Sequence, residues 1–273
     1  MSGSADMRRA SLSEPGDGPV LALTIAYDGA HFAGFARQPG LVTVQGRLEQ
    51  ALSTVFGRSV LTVGAGRTDA GVHALGQVVS FELMPGEAAP DSLLRSLNAL
   101  AGPEIVVSRV RRAPAGFSAR FDAMAREYRY RLIPGPVPPE FLRAYAWWVK
   151  TALDLSAMRE GAAMLIGEHD YRSFCVSESA EGKSTVRRVD SIEITSGREM
   201  GEGCIVVRVV GNAFLHSMVR VIAGTLVEVG TGRRQPDWVA EALAARNRAA
   251  AGPTAPAHGL TLWDVSYPEE CWL

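Results

Sequence analysis

Cysteine is scarce in this sequence, with 3 residues among 273, and none of them stands at a CxxC spacing. The pattern therefore indicates neither a disulfide framework nor a structural zinc site. No uninterrupted apolar run approaches the roughly 18 residues that a membrane-spanning helix needs, so we expect no membrane protein. The first 18 residues are polar and lack the apolar core of a signal peptide. We expect a disordered tail there and a cytoplasmic protein.

The sequence also lacks an excess of positive or negative charge, since its formal net charge is −1. Global charge thus gives no sign of a nucleic-acid partner. Arginines nevertheless cluster locally, at Arg126, Arg129 and Arg131 and again at Arg187 and Arg188. If the protein binds RNA, we expect a local basic cleft rather than an overall positive surface.

Hydrophobic periodicity predicts the element order β-α-β-β-α-β in each half of the chain, which is typical of a ferredoxin-like unit. We therefore predict an α+β protein with two ferredoxin-like (split βαβ) halves, whose sheets meet to form a catalytic cleft. The N-terminal α+β domain is expected at 19–113 and the C-terminal one at 114–273. The predicted strands lie at 20–27, 59–64, 77–83, 104–110, 126–133, 186–196, 204–211 and 260–265, and the main helices at 44–56, 91–100, 154–167, 215–229 and 237–247.

The sequence contains no complete cofactor-binding or metal-binding motif. Gly64 and Gly66 begin a GxGxxG pattern, but Asp69 occupies the place of the third glycine and a strand follows where a helix is required. His73 and His216 have no local partner at metal-ligand spacing. We therefore expect neither a cofactor nor a metal ion.

The glycine-rich loop GAGRTDAGVHALGQVVSF (64–81) is the most informative segment. Its small residues allow the backbone to approach a ligand closely, and Arg67 and Asp69 stand two apart within it. From spacing alone two interpretations remain open. Asp69 is either a functional carboxylate or a turn residue, and Arg67 is either a ligand contact or a solvated surface charge.

Several motifs, in the same order along the chain, resemble those of the tRNA pseudouridine synthase A family. GRTDAGVHA (66–74) resembles its signature loop, and YDGAHFAGFARQ (27–38) resembles its N-terminal motif. FSARFDAMAREYRYRL (117–132), NAFLHSMVRVIAGTLVEVG (212–230) and GLTLWDVSYP (259–268) resemble its later motifs. The similarity covers nearly everything after residue 18. It implies an isomerase that converts uridine to pseudouridine at positions 38, 39 and 40 in the anticodon stem-loop of tRNA.

The resemblance also implies roles for individual residues. Asp69 would be the catalytic carboxylate, attacking either C1′ or C6 of the uridine, and it would need a cationic neighbour to remain ionised. Arg220 would supply that charge by pairing with Asp69. Tyr128 would contact the target base, whereas Tyr130 is expected to fill the core. Arg67 would occupy the space left by an extruded base and hold phosphate or base, which suits a planar guanidinium.

Other points stay open from the sequence. His216 is either a surface residue of the predicted helix or a substrate contact, and a homodimer follows only from the resemblance. One rival interpretation is a non-catalytic RNA-binding protein or RNA chaperone in which Asp69 is structural. Another is a hydrolase of a nucleoside or glycoside, for which Glu82 or Asp122 would provide a second carboxylate about 5 Å away.

Overall fold

The computed structural model describes residues 18–176, 182 and 184–273. Almost all of the predicted N-terminal tail therefore lies outside the described residues. Within the described part, no helix is both long and apolar enough to cross a membrane.

The first half of the chain follows the predicted order. It contains β1 (Val20–Tyr27), α1 (Val44–Phe56), β2 (Val63–Gly64), β3 (His73–Glu82), α2 (Leu93–Ala101) and β4 (Ile105–Ala113). Helix α1 begins and ends as predicted, because the Thr43 side chain accepts the N–H of Gly46 and Gly57 adopts the left-handed conformation. The helix predicted at 91–100 begins two residues later, at Leu93, and Ser92 before it makes no side-chain cap.

The second half repeats this order with additions. It contains β5 (Ala125–Pro134), β6 (Trp147–Val149), α3 (Leu155–Ala163), β7 (Gly167–Asp170), β8 (Val186–Glu199), β9 (Glu202–Gly211), α4 (Met218–Gly230), α5 (Trp238–Ala245) and β10 (Leu260–Ser266). Helix α3 begins within the predicted range, and Asp154 caps it by accepting the N–H groups of Ser156 and Ala157. The short strands β6 and β7 were not predicted. Helix α3 ends at Ala163 rather than near Gly167, because strand β7 begins at that glycine.

All strands join one sheet in the order β4-β1-β3-β10-β5-β9-β8-β7, with β2 paired to β3 and β6 to β5. Strands β4-β1-β3-β2 and strands β10-β5-β9-β8 form two antiparallel groups with the same order. This arrangement confirms the prediction of an α+β protein built from two ferredoxin-like halves. The division into domains at residue 113 stays a prediction, because the hydrogen-bonded sheet continues from one half into the other.

The two halves meet where β3 pairs in parallel with β10, through Thr261 opposite His73 and Leu262 opposite Ala74. Further along the same edge of β3, Val79 and Ser80 pair with β2. The loop at 65–72 connects β2 to β3 and therefore emerges at this junction. Helix α4, buried at 11 of its 13 residues, begins beside the same place. The fold thus brings the glycine-rich loop of one half to the start of a buried helix in the other.

Candidate active site

The residue before Asp69 is fixed by contacts from the N-terminal motif. Thr68 is buried, and its hydroxyl shares a hydrogen bond of 2.8 Å with the hydroxyl of Tyr27. Its carbonyl accepts the N–H of Phe35 at 3.0 Å. Gly34 has φ 103°, and a Cβ there would lie 3.2 Å from the Thr68 carbonyl oxygen, so the two segments approach closely. These contacts give the motif at 27–38 a supporting role for the loop that carries Asp69.

The start of the loop is held by a buried arginine. Arg126 donates hydrogen bonds to the carbonyl oxygens of Ala65 (2.9 Å), Arg120 (2.7 Å), Asn212 (2.6 Å) and Ala123 (3.2 Å). It is 8% exposed, and this burial lowers the pKa of its guanidinium. Because its donors are all turned towards backbone, Arg126 links the loop to the segments before β5 and after β9.

The arginines of the first cluster contact partners within the protein. Arg131 is as buried as Arg126 and pairs with Glu199 at 2.7 Å. Arg129 pairs with Glu127 at 2.8 Å and lies 3.7 Å above the ring centre of Trp263. These side chains are engaged by partners within the sheet, so we do not assign them to RNA, and the expected local basic cleft stays a prediction.

Asp69 is surrounded by donors from the other half of the chain. Arg220 Nη1 donates to Asp69 Oδ2 at 2.7 Å, and both side chains are 18% exposed. The Ser217 hydroxyl donates to the same oxygen at 2.7 Å. His216 Nε2 lies 3.4 Å from the other oxygen, Oδ1, on a half-exposed ring. The expected pairing of Asp69 with Arg220 is thus present, across 151 positions of sequence.

Arg220 is itself held in place by a second contact. Its Nε donates to the Ala255 carbonyl at 2.8 Å, and the N–H of Ala255 donates back to the Arg220 carbonyl at 3.1 Å. Helix α4 lies tightly against this segment, because a Cβ on Gly224 would have no room beside the carbonyl of Pro253. The Nε of Arg220 therefore binds the backbone of Ala255, while its Nη1 binds the carboxylate of Asp69.

Two features around α4 differ from the sequence prediction. The helix begins at Met218 rather than near Leu215, because Ser217 has a left-handed backbone with φ 60°. His216 therefore precedes the helix and does not share a helical face with Arg220. Ser217 was not identified from the sequence, since serine is not a residue type that signals the left-handed conformation. Only the folded structure places its hydroxyl against Asp69.

Tyr128 lies on β5 beside the loop. It is 7% exposed and packs edge-to-face on Phe214 with ring centres 5.2 Å apart. A Cβ on Gly66 would lie 3.7 Å from the Tyr128 hydroxyl, so the loop passes directly over it. Burial, with the neighbouring charges of Tyr27 and Asp69 adding to it, raises the pKa of Tyr128. Tyr130, by contrast, is fully buried and donates to the carbonyl of Pro256 at 2.8 Å, as a core residue does.

Arg67 occupies a different environment from Asp69. Its side chain is exposed, and no acceptor among the described residues takes a hydrogen bond from it. Arg120 is exposed as well, but partial desolvation and the charge of Arg67 lower the pKa of its guanidinium. Two exposed guanidinium groups that affect each other in this way favour an anion such as phosphate.

The other carboxylates considered from the sequence are engaged elsewhere. Asp122 accepts the N–H of Ser118 at 2.8 Å, and Glu82 is exposed at the end of β3. Across the described ranges, no group of three histidine, cysteine or acidic residues could hold a metal ion. The site consequently offers one carboxylate, its donors, a buried tyrosine and exposed arginine.

Comparisons with known proteins show to which proteins this chain is similar. The family model described as tRNA pseudouridine synthase matches residues 23–122 and 162–268. The chain is similar to proteins named tRNA pseudouridine synthase A from Geobacillus kaustophilus, at 44% identity over 90% of this chain and 94% of that one. It is also similar to those from Brevibacillus brevis, at 45% over 90% and 99%, and from Bacillus subtilis, at 43% over 90% and 98%. A solved Cbf5-Nop10-Gar1 complex covers 76% of this chain and 45% of that one at 14% identity, with a TM-score of 0.34 that is too low to add to the argument.

Proposed function

This chain belongs to the tRNA pseudouridine synthase family, and on that premise we propose that it isomerises uridine to pseudouridine in tRNA, with Asp69 as the catalytic carboxylate. The proposed sites are positions 38, 39 and 40 of the anticodon stem-loop. The observation that carries the proposal is the contact between Asp69 and Arg220, which joins the two halves at one carboxylate.

The reaction balances without any co-reactant. The N1–C1′ bond breaks, the base turns, and a C5–C1′ bond forms. C5 loses a proton and N1 gains one, so substrate and product have the same atoms and the same number of electrons. Asp69 supplies the oxygen that bonds transiently to the uridine, at C1′ or at C6, and leaves again as a carboxylate. Arg220 and Ser217 stabilise its negative charge before and after that step.

Tyr128 and Arg67 have complementary proposed roles. A uridine inside a stem must leave the base stack before it can reach Asp69. Tyr128, beneath the loop and close to Asp69, would contact the extruded base. A phenol is protonated at neutral pH, and the raised pKa of Tyr128 extends that state to higher pH. Arg67, exposed and without a protein acceptor among the described residues, would hold phosphate or fill the vacated stack.

We further propose that the protein works in the cytoplasm as a homodimer, on a tRNA substrate that spans both subunits. This part of the proposal is supported by family membership alone. Light scattering at micromolar concentration tests it, because a dimer has twice the 29.2 kDa of one chain.

Asp69→Asn tests the proposal most directly, because asparagine keeps the size and shape of the side chain while removing its charge and nucleophilicity. We expect the variant to fold and to bind tRNA as well as the wild type or slightly better. Pseudouridine formation in single turnover with saturating enzyme should fall by several orders of magnitude, as on loss of a catalytic nucleophile. If Asp69 were a turn residue, asparagine would replace it without loss of activity.

A matched control is Asp190→Asn, which removes a carboxylate that also pairs with an arginine at 2.7 Å but lies on the exposed part of β8. It should leave turnover unchanged. The same assay separates the rival functions. A hydrolase would release free uracil, and a non-catalytic RNA-binding protein would bind tRNA without changing it. Substantial pseudouridine formation by a folded Asp69→Asn protein would overturn the assignment of Asp69.

A further inference from the structure

Ser217 has a backbone conformation that its residue type disfavours. Its φ of 60° and ψ of 11° lie in the left-handed region, where a non-glycine side chain is uncommon. The two other described non-glycine residues with positive φ are Met200, in the turn between β8 and β9, and Arg246, at the end of α5. Left-handed residues are ordinary in turns and at helix ends. Ser217 also lies in a turn, as the third of the four residues Leu215–Met218, which the N–H of Met218 closes by donating to the Leu215 carbonyl at 3.1 Å.

The Ser217 side chain also forgoes its usual bond. A serine before a helix ordinarily accepts a hydrogen bond from an N–H of the first turn. Ser217 makes no such bond, and its hydroxyl donates to Asp69 Oδ2 instead. The start of α4 therefore gains nothing from this side chain. Glycine would fit this turn position with less strain, and what a serine adds there is the hydrogen bond to Asp69.

The two oxygens of Asp69 consequently differ. Oδ2 accepts from both Ser217 and Arg220 at 2.7 Å. Among the described residues, Oδ1 is contacted by His216 Nε2 at 3.4 Å, and the His216 side chain is 51% exposed. Two donors thus hold Oδ2, whereas the contact described for Oδ1 is longer and comes from a half-exposed ring.

We propose that Ser217 is a positioning residue for the reaction: together with Arg220 it fixes Oδ2 of Asp69, and so presents Oδ1 to the uridine. The inference rests on the proposed function, because it assigns one oxygen of the proposed carboxylate to the substrate. Ser217 itself does not touch the reacting atoms. Its removal should therefore slow the chemical step and leave tRNA binding unchanged.

Three variants separate the hydroxyl from the backbone conformation. Ser217→Ala removes the hydroxyl and keeps the unfavourable backbone, whereas Ser217→Gly removes the hydroxyl and relieves the backbone. Ser217→Thr keeps a hydroxyl but adds a β-branch, which the left-handed region tolerates poorly. The free energy of unfolding should therefore be highest for the Gly variant, lower and similar for the Ala variant and the wild type, and lowest for the Thr variant. Single-turnover rate should follow a different order, with Ser and Thr fast and Ala and Gly slow.

We expect Ser217→Ala and Ser217→Gly to lose about 10- to 100-fold in rate, the range for losing a hydrogen bond to a charged group. The Kd for tRNA should stay within about twofold, as for a group that acts only on the chemical step. A Ser217→Gly protein with wild-type rate would overturn the inference, because the serine would then matter only through the backbone. That outcome, alongside an active wild type and an inactive Asp69→Asn variant, leaves the proposed function standing. Absence of pseudouridine formation by the wild type would overturn the proposed function itself.

Discussion

Arg220→Lys is the substitution that tests the geometry of the site most sharply. It keeps the positive charge but removes the planar guanidinium, whose two N–H donors contact two different acceptors. The guanidinium holds Asp69 Oδ2 at 2.7 Å through Nη1 and the Ala255 carbonyl at 2.8 Å through Nε. A lysine ammonium is a compact charge that cannot occupy both nitrogen positions. The ammonium will therefore bond either to the Asp69 carboxylate or to the Ala255 carbonyl, and the other acceptor will lose its hydrogen bond.

The expected cost follows from which contact is lost. A hydrogen bond to a charged group contributes about 1.5–3 kcal/mol, and we take the lower part of that range because both side chains are 18% exposed. Lost in the transition state, this contact would reduce turnover by about 10- to 30-fold, at 1.4 kcal/mol for each factor of ten. If lysine keeps Asp69 instead, the Ala255 carbonyl loses its donor, and the free energy of unfolding should fall by about 1 kcal/mol.

Arg188 provides a matched control. Its Nε lies 2.7 Å from Asp190 Oδ1, the same distance as in the site, but its side chain is 54% exposed. Exposed ion pairs contribute about 0–1 kcal/mol, so Arg188→Lys should change neither turnover nor stability measurably. A double-mutant cycle for unfolding, with Arg220→Gln and Asp69→Asn, should give a coupling of about 1–3 kcal/mol, well above that of the control pair.

The assays are single-turnover pseudouridine formation and urea unfolding of each variant. Arg220→Lys with wild-type turnover and wild-type stability would refute the reasoning, because neither contact of the fork would then contribute. A cycle whose coupling equals that of Arg188 with Asp190 would show that the Asp69 pair is no stronger than a surface ion pair.

Three further predictions concern Arg67, the oligomeric state and the buried tyrosines. Arg67→Lys should cut turnover strongly while tRNA affinity suffers less, because a planar fork is lost but the charge remains; wild-type turnover would make Arg67 a surface charge. Light scattering should give a dimer, and an active monomer would end that part of the proposal. Burial raises the pKa of Tyr128, Tyr130 and Tyr171, so the folded protein keeps protons that the unfolded chain releases near pH 10. The free energy of unfolding should therefore be fully retained below about pH 10 and should fall as pH rises further, by up to about 1.4 kcal/mol per pH unit for each tyrosine. Unfolding curves that do not change between about pH 9 and 11 would contradict this.

The order of strands and helices could be predicted from the sequence because it depends on local periodicity. Val44, Leu48 and Leu52 recur at helical spacing and are buried in α1 as that spacing indicates. Strands β6 and β7 could not be predicted in the same way. They have three and four residues, too few for a repeating pattern of side chains, and of the strand predicted at 59–64 only the last two residues form β2.

The arginines of β5 show a different limit. Sequence alone places Arg129 and Arg131 in a basic segment, yet β5 lies between β10 and β9 in the interior of the sheet. There Arg131 meets Glu199, 68 positions away in sequence, and Thr261, 130 positions away. Burial forces such partners on a charged group, because an unpaired charge in the interior is costly. Whether an arginine faces RNA or the interior therefore depends on pairing that no local pattern contains.

The position of the site between the halves determines what each half can do alone. Asp69 is delivered by the loop between β2 and β3, whereas Ser217 and Arg220 come from the start of α4, 148 and 151 positions later. The two meet because β3 and β10 pair in parallel beside them, and Gly76 allows that approach by leaving space next to Trp263. A chain ending at residue 113 would keep Asp69 and lose both donors to Oδ2. The proposed reaction therefore requires the joined sheet, since neither half contains a complete site.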